Sequence, residues 1–423
     1  MLHEREDAVL RFVARPRPVR LEGKIRHYAW GGYTYLAELI GAEAADARPW
    51  AELWAGAHPA GPATAMIDRV RVPLDELVAR APEAVLGAKC LAKFGPELPY
   101  LLKVLDVRAM LSIQAHPTRE QAREGCARED AAQIPRSAPD RSYRDANHKP
   151  EAQVALTDFW LLYGFRPIGE IRQLLDERGA GSAVRAFVEG HAAEPERLRG
   201  LYTFLMGLSQ PEVDALIGPL VQKASALAAD GRLELSSPDY WVARAAREFP
   251  LPAGHYDRGI LAIYLLNLVH LRPGEGTFIG PGVLHAYLSG VAVEVMASSD
   301  NVLRGGLTPK HVDVAELLRI LRFDRASPRV TAGVAASAIE REYRTPAEEF
   351  DLAGLVLEGG QRLQRVARAA ETLLVTGGAA HLRAGDDELT LPRGAIALVP
   401  AGLGYTLAGV PGATLFRASV PGL

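Results

Sequence analysis

Short apolar runs bounded by glycine and proline recur along residues 19–166, 257–325 and 326–423, and they predict strands. Residues 167–256 instead place apolar side chains three and four positions apart, which is the spacing of amphipathic helices. Residues 1–18 mix both charge signs and predict a partly helical N-terminal extension. The chain is therefore expected to be mainly β, with a helical insertion domain (167–256) inside a first β domain (19–166 and 257–325) and a second β domain at the C-terminus (326–423).

A hairpin is predicted where two apolar runs flank the dipeptide Ser289-Gly290, which suits a two-residue turn. In that pairing His285 lies opposite Glu294, and both share a face with Tyr287. The valines that alternate with this face are expected to point into a core. An imidazole opposite a carboxylate is typical of a metal or acid–base site, but a solvated hairpin face has the same pattern.

The predicted hairpin lies between a helix and a loop. Residues 257–270 form a continuous apolar segment that predicts a helix returning the chain from the insertion. Residues 298–310 are rich in polar groups, glycine and proline, and they predict a loop.

Two further predicted strands carry polar side chains at alternate positions, which places them on one face of each strand. Lys103, between two leucines of an adjacent strand, needs either an anion partner or a route for its ammonium group to solvent. His58 precedes a proline and is expected to pack in a turn. The alternating polar residues are Ser112, Gln114 and His116 in one strand and Lys149, Glu151 and Gln153 in the other.

Composition narrows the class of protein. A chain of 423 residues is long enough for two or three domains, and 48% hydrophobic residues supply a large core. The 48 Lys+Arg and 51 Asp+Glu residues give a net charge of -3, which provides no field for binding nucleic acid. Two cysteines, Cys90 and Cys126, cannot form a disulfide framework. Because no apolar run reaches the roughly 18 to 20 residues of a membrane span, we expect a cytoplasmic protein without a membrane partner.

The run HAYLSGVAVEVMASSDNVLRGGLTPK (285–310) resembles the signature of the type I phosphomannose isomerases, a family of zinc-dependent cupin enzymes. The motifs QAHP and NHKPE, and two blocks that begin at Arg20 and Pro49, resemble the same family. Gly305 stands where the family commonly has alanine. The resemblance implies a cupin-type β-barrel, or jelly roll, for the first β domain.

The same resemblance implies a zinc site with one ion per chain. In the family, the ligands come from the QxHP motif, the NHKPE motif and the histidine of HAY. Two imidazoles, a carboxylate and an amide oxygen without a thiolate suit Zn²⁺ or a neighbouring divalent ion, and they leave a position for water or substrate. The ligands implied are Gln114, His116, Glu151 and His285.

The activity implied by the resemblance is an aldose–ketose isomerisation between D-mannose 6-phosphate and D-fructose 6-phosphate. This reaction needs ring opening, proton transfer between C2 and C1, and stabilisation of the enediol(ate) oxygens. Arg304 is the candidate for the electrophilic or orienting group, and an ion pair with Asp300 is its alternative role. Glu294 and Lys149 both remain candidates for the base.

The remaining candidates have less specific roles. His148 and Asp300 complete the set of candidate catalytic residues. The candidate substrate contacts are Lys103, Ser112, Tyr287 and Lys310. The expected partner is a small sugar phosphate, and the expected assembly is a monomer or a weak homo-oligomer.

Two other functions are compatible with parts of this pattern. A metal-dependent cupin of different chemistry, such as an oxygenase, would prefer a redox iron in an open facial triad. A catalytically inactive cupin would only bind sugar phosphate, but the intact ligand set and Arg304 argue against lost catalysis. A fused nucleotidyltransferase is disfavoured because no glycine-rich nucleotide-binding loop lies near the start of the chain.

A short internal repeat predicts the nature of the C-terminal domain. The segment 394–405 repeats the pattern of 274–285, since each has a glycine turn, a strand and a Pro/Gly turn before the next strand. Aligned without gaps, His285 falls on Tyr405, and His381 is the one histidine left in the terminal region. A single imidazole cannot assemble the site. The repeat therefore predicts a second cupin-like barrel without metal, and a coincidental match between two turns is the alternative.

Overall fold

The computed structural model describes residues 2–42, 47–189, 192–324, 327–358 and 360–423. The first part of the chain contains α1 (Leu2–Ala14), β1 (Val19–Glu22), β2 (Lys24–Arg26), α2 (Tyr35–Ile40), β3 (Glu52–Gly56), β4 (Thr64–Ile67), β5 (Val70–Pro73), α3 (Leu74–Arg80), α4 (Pro82–Leu86), α5 (Ala88–Phe94), β6 (Tyr100–Val107), β7 (Ile113–Ala115), α6 (Arg119–Ala131), β8 (Glu151–Ala155) and β9 (Phe159–Phe165).

Helices then follow one another up to Leu265. They are α7 (Ile168–Asp176), a 3-10 turn (Gly181–Val184), α8 (Arg185–Val188), α9 (Glu194–Gly207), α10 (Gln210–Ala229), α11 (Pro238–Glu248), a second 3-10 turn (Pro252–Gly254) and α12 (Gly259–Leu265). None of the helices described is both long and apolar enough to cross a membrane.

Strands predominate again in the last part of the chain, which contains only one more helix among the described residues. The elements are β10 (Leu266–Leu271), β11 (Gly276–Ile279), β12 (His285–Ala297), β13 (Leu303–Gly306), α13 (Val314–Ile320), β14 (Val334–Ala335), β15 (Glu340–Tyr343), β16 (Asp351–Leu357), β17 (Arg362–Val366), β18 (Glu371–Gly377), β19 (Ala379–Ala384), β20 (Asp387–Pro392), β21 (Ile396–Val399), β22 (Gly404–Gly409) and β23 (Ala413–Ser419).

The predicted hairpin at Ser289-Gly290 is wrong, because β12 continues through this point as one strand. Its pairing with β9 shifts by one residue between Tyr287 and Ser289, which is a β-bulge, and the following Gly290 has φ of 115°. A side chain at this glycine would collide with a neighbouring backbone carbonyl, 2.3 Å from the position of its Cβ. Beyond this extra residue, the even-numbered side chains take the face that the odd-numbered ones occupy before it. His285, Tyr287 and Glu294 therefore still share a face, and the Tyr287 hydroxyl donates to Glu294 Oε1 at 2.8 Å.

Strand β12 is the centre of a ten-stranded sheet. Its N-terminal half pairs with β7 and β9, and its C-terminal half pairs with β6 and β8. The predicted valine face is confirmed, since Val291, Val293 and Val295 are buried in a hydrophobic cluster. One long strand therefore connects residues from four neighbouring strands.

Two segments beside β12 differ from the predictions. Only the first half of 257–270 is helical, and the chain continues as β10, which pairs with β9. The predicted loop 298–310 contains the strand β13, which pairs with β7. Short apolar runs have no periodicity that separates strand from helix, so partner strands decide the outcome.

The C-terminal strands form a nine-stranded sheet and a four-stranded sheet that enclose a common hydrophobic cluster. Strands β1, β4 and β5 extend the nine-stranded sheet through pairing of β1 with β21. The nine-stranded sheet therefore contains strands from both residues 19–166 and residues 326–423. The architecture is mainly sheet with helices, as predicted, but no closed barrel is found in the part of the chain that the structure describes.

Six strand pairings of the first sheet recur in the C-terminal part. Strand β12 pairs with β6, β7, β8 and β9, while β8 pairs with β11 and β9 pairs with β10. Correspondingly, β23 pairs with β16 and β18 as β12 does with β6 and β8, and β22 pairs with β17 and β19 as β12 does with β7 and β9. Strand β18 pairs with β21 as β8 does with β11, and β19 pairs with β20 as β9 does with β10. We call β6 to β12 the first repeat and β16 to β23 the C-terminal repeat. The single strand β12 corresponds to the two strands β22 and β23.

Candidate active site

Three buried ligand side chains meet where β7, β8 and β12 come together. His116, Glu151 and His285 offer ligand atoms that all lie within 4.8 Å of one another. Glu151 Oε1 lies 3.4 Å from His116 Nε2, and Glu151 Oε2 lies 3.3 Å from His285 Nε2. Residues far apart in sequence are thus brought together by the pairing of β8 and β12.

Backbone carbonyls fix the tautomer of both histidines. His116 Nδ1 lies 2.7 Å from the carbonyl of Asn301, and His285 Nδ1 lies 2.9 Å from the carbonyl of Val283. A carbonyl only accepts, so each Nδ1 carries the hydrogen and each Nε2 presents a lone pair to Glu151. His116 Nε2 is buried and makes no hydrogen bond with any residue that the structure describes. Unprotonated nitrogens of this kind are what a divalent metal ion requires.

Burial and neighbouring charges keep the cluster in its metal-binding ionisation state. Burial lowers the pKa of His116 to about 4, although the charge of Glu151 acts in the opposite direction. Burial alone would raise the pKa of Glu151, but the charge of Lys149 lowers it well below its usual range. The Lys149 ammonium group lies 3.1 Å from Glu151 Oε1. The cluster therefore combines a neutral imidazole at His116 with an ionised carboxylate at Glu151.

Gln114, the fourth predicted ligand, lies at the edge of this cluster. On β7 it is paired with His285 of β12 on one side and with Arg304 of β13 on the other. Its terminal amide lies 3.4 Å from His285 Nε2. All four predicted ligands are thus neighbours in the structure.

A second buried network lies next to the cluster. Lys103 Nζ lies 3.1 Å from Glu294 Oε2 and 3.8 Å from Glu52 Oε2. Two alternatives were predicted for Lys103, an anion partner or a route to solvent, and the structure has the anion partner. Burial raises the pKa of Glu294, and Lys103 opposes that change. Burial also raises the pKa of the Tyr287 hydroxyl, which bonds Glu294 and Glu151.

Three cationic side chains lie near one another without a carboxylate partner among the described residues: Arg144, Arg304 and Lys310. Burial lowers the pKa of Arg304, and the charge of Arg144 lowers it further. Burial, Arg304 and Arg144 lower the pKa of Lys310 in the same way. Ser112 precedes β7 and makes no side-chain hydrogen bond in the described ranges. Uncompensated cations of this kind favour an anionic ligand.

The predicted alternative for Arg304, an ion pair with Asp300, is not found in the part of the chain described. Asp300 Oδ1 instead lies 3.6 Å from His58 Nε2. His58 is 5% exposed and contacts Trp54 edge to face, so its predicted packing in a turn is confirmed. His148 is not part of the cluster of His116, Glu151 and His285. Its Nε2 lies 2.8 Å from Glu349 Oε1.

Four residues near the site were not among the predicted ones: Glu52, Arg144, Asn301 and Glu349. Glu52 and Asn301 lie inside sequence blocks that resemble the family, which is a signal that could have found them. Arg144 is one of several arginines in an exposed, charged segment, and Glu349 lies about 200 positions from the histidine that it contacts. Nothing in the local sequence distinguishes these last two.

The chain is similar to known proteins both in sequence and in structure. Residues 19–168 match the family model of the phosphomannose isomerase type I catalytic domain. The mannose-6-phosphate isomerase of Salmonella typhimurium is 36% identical over 391 residues, which cover 90% of this chain and 94% of that protein. The human mannose-6-phosphate isomerase is 35% identical over 336 residues, which cover 75% of this chain and 76% of that protein.

A crystal structure of the Salmonella typhimurium enzyme bound to its substrate and to zinc matches the fold with a TM-score of 0.84 and 34% identity, and the match covers 95% of this chain and 99% of that chain. A zinc-bound structure of mannose 6-phosphate isomerase gives the same TM-score of 0.84. Identity and coverage of this extent show common descent and a common fold. The chain belongs to the type I phosphomannose isomerase family.

Proposed function

We propose that the protein is a zinc-dependent mannose-6-phosphate isomerase, which interconverts D-mannose 6-phosphate and D-fructose 6-phosphate. The observation that carries this proposal is the buried cluster of His116, Glu151 and His285, in which one imidazole nitrogen has no hydrogen-bond partner. Relatives with the same fold bind zinc and the substrate of this reaction.

The donor set fits Zn²⁺. His116, His285 and Glu151 supply two lone pairs and a carboxylate without a thiolate, and Gln114 supplies an amide oxygen after rotation of its terminal group. The buried carboxylates of Glu52, Glu151 and Glu294 outnumber the buried ammonium groups of the two neighbouring lysines. This excess of negative charge favours a bound cation. When bound, the ion would polarise substrate oxygens and stabilise negative charge on them.

The cationic group of Arg144, Arg304 and Lys310 supports a site for the sugar phosphate. We assign the phosphate contacts to Arg144 and Lys310, together with the hydroxyl of Ser112. Arg304 is paired with Gln114, so it lies beside the predicted ligands, and we assign to it the orientation of the reacting oxygens. The guanidinium stays charged and can hold two oxygens at once.

Glu294 is the proposed base for proton transfer between C2 and C1. Burial raises the pKa of this carboxylate, which makes it a stronger proton acceptor. Lys103 and the Tyr287 hydroxyl hold its two oxygens. Lys149 lies against Glu151 instead, so we assign to it the orientation of that carboxylate.

The proposal also covers the fold of the two repeats, the domains, the cellular compartment and the oligomeric state. We infer that the first repeat is a cupin-type fold and that the C-terminal repeat is a second, metal-free copy, supported by the six matching strand pairings. We propose that the chain is divided into an N-terminal extension (1–18), a catalytic domain (19–166 with 257–325), a helical insertion domain (167–256) and a C-terminal β domain (326–423). Free, buried Cys90 and Cys126 fit a cytoplasmic enzyme. We infer a monomer or weak homo-oligomer.

A coupled assay tests the function directly. Purified protein is expected to convert mannose 6-phosphate to fructose 6-phosphate, to lose this activity with a chelator and to regain it with added Zn²⁺. Absence of turnover despite bound zinc and sugar phosphate would favour the inactive binding protein. Oxygen consumption without isomerisation would favour the oxygenase.

A further inference from the structure

Residues far beyond the family-model match supply one side chain to the surroundings of the active site. Glu349 lies between β15 and β16, and its side chain is 1% exposed. Its Oε1 lies 2.8 Å from Nε2 of His148 and also accepts a hydrogen bond from Arg119. The terminal nitrogen of Arg119 lies 2.9 Å from the same Nε2. His148 thus contacts a carboxylate from the C-terminal part of the chain.

These contacts determine where the proton of His148 lies. A guanidinium only donates and a carboxylate only accepts. Glu349 Oε1 accepts from Arg119 and from His148 together if Nε2 of His148 carries a hydrogen. The short distance between Arg119 and His148 then follows from two donors that converge on one oxygen. The other ring nitrogen, Nδ1, has no hydrogen-bond partner among the described residues, and the side chain is 20% exposed.

The arrangement is not optimised as a structural ion pair. Glu349 Oε2 and Arg119 Nε are both buried and make no hydrogen bond within the described ranges. Each unpaired buried group of this kind lowers the stability of the fold, so its presence needs an explanation. Burial alone would raise the pKa of Glu349, but the hydrogen bond from His148 and the charge of Arg119 lower it, so the carboxylate is ionised.

We propose that Glu349 is a positioning residue, which holds His148 with its proton on Nε2 and leaves Nδ1 available to a substrate hydroxyl. The inference rests on the proposed isomerase function, because it gives His148 a contact with the sugar. It assigns to the C-terminal part of the chain a role in catalysis through His148, in addition to packing. An ionised carboxylate beside an imidazole selects one tautomer and restricts rotation of the ring.

Substitution Glu349→Gln, assayed on the full-length zinc-loaded enzyme, tests the proposal. We expect kcat to fall about 10-fold or more, because a positioned acid–base group is worth roughly 100- to 10,000-fold and only its orientation is lost. KM is expected to stay within about twofold. The matched control is Glu348→Gln, since Glu348 is adjacent, 66% exposed and, among the described residues, paired with Lys93 alone at 3.4 Å. The control is expected to retain wild-type kcat.

A double-mutant cycle separates positioning from simple support of the fold. In a His148→Ala background, Glu349→Gln is expected to cause no further loss of kcat, because its effect acts through His148. Independent, multiplying losses in the two variants would overturn the proposal, as would wild-type kcat in Glu349→Gln. If that variant does not fold, Glu349→Asp keeps the charge but shortens its reach, and normal kcat in it would also overturn the proposal. A wild-type protein without isomerase activity would instead refute the proposed function, and this inference with it.

Discussion

The two repeats place a buried glutamate at the same position and neutralise it in different ways. In the first repeat, Glu151 pairs with Ile279 of β11, and in the C-terminal repeat, Glu371 pairs with Val399 of β21. Beside Glu151 lie two imidazoles whose lone pairs face the carboxylate. Beside Glu371 lie guanidinium groups, with Arg417 at 3.2 Å and Arg365 at 2.8 Å, and the hydroxyl of Tyr405.

The difference shows which feature makes a metal site. His285 and Tyr405 both face a buried glutamate from the strand that follows the turn, and Gln114 and Arg365 are their cross-strand partners. A guanidinium carries its own positive charge and needs no ion, whereas the imidazoles beside Glu151 present lone pairs and add no positive charge to that of Lys149. The same strand pairings therefore support a cation site in one repeat and a permanent ion-pair network in the other.

The largest effect is expected for His285→Ala, which removes a proposed ligand from the first repeat. The variant should lose bound zinc and lose more activity than the roughly 10- to 100-fold that outer-shell partners of a metal contribute. Zinc content measured by mass spectrometry and the coupled assay check both expectations. The exposed histidine of the C-terminal repeat gives the control, His381→Ala, which should retain both. Full activity in zinc-free His285→Ala would show that the cluster is not the catalytic metal site.

Arg304→Ala should retain zinc and lose turnover, with kcat lower by roughly 100- to 1,000-fold, as for loss of one group that stabilises charge in the transition state. KM should change much less. Arg144→Ala, in the same cationic group, should raise KM and leave kcat closer to normal, since we assign it to the phosphate. Steady-state kinetics on both variants separate the two roles, and a near-normal kcat in Arg304→Ala would make this arginine structural.

Arg417→Met tests the opposite side of the comparison. Arg417 is 3% exposed and contacts both Glu371 and Glu340, so its loss leaves buried carboxylates with less compensating charge. The free energy of unfolding should fall by roughly 3–5 kcal/mol, with zinc content and kcat unchanged. The control is Arg383→Met, at an exposed position of β19, which should change stability by no more than about 0.5 kcal/mol. Loss of zinc in Arg417→Met would contradict the separation of the two repeats.

How much of this site the sequence predicts depends on the distance between its parts. The four proposed ligands could be named because each lies in a motif that resembles the family, although they span positions 114 to 285. Pairing at this range depends on tertiary contacts, which no local pattern encodes. Glu349 illustrates the limit, because its segment resembles no motif and its partner His148 lies about 200 positions away.

Local structure was predictable where periodicity was strong. The helices between Ile168 and Glu248 and the valine face of β12 follow the apolar spacing. The predicted hairpin at Ser289-Gly290 was wrong because a glycine with positive φ occurs both in two-residue turns and in strands that contain a β-bulge. Strands β10 and β13 were missed because each depends on a partner strand rather than on its own sequence.

A pH dependence should appear in the first repeat when zinc is absent. The pKa of His116 is lowered to about 4 in the folded state, so the unfolded chain binds this proton more tightly. Its contribution to stability is therefore complete above the ordinary pKa near 6.5 and is lost as pH falls towards 4, on the order of 3 kcal/mol. Urea unfolding of zinc-free protein across this range measures it. His116→Gln should abolish this part of the dependence, and an unchanged profile would argue against a buried neutral imidazole.

The smallest effect is expected for Tyr405→Phe, at the position that aligns with His285. The Tyr405 hydroxyl is buried and donates to Glu371, so its removal leaves one carboxylate oxygen without a donor and should cost roughly 1.5–3 kcal/mol. Zinc content and kcat should not change, because the guanidinium groups still neutralise Glu371. Tyr287→Phe provides the contrast in the first repeat, since that hydroxyl holds the proposed base Glu294 and its removal should lower kcat. Thermal unfolding and steady-state kinetics of both variants test the comparison, and a loss of kcat in Tyr405→Phe as large as in Tyr287→Phe would show that the C-terminal network also acts in catalysis.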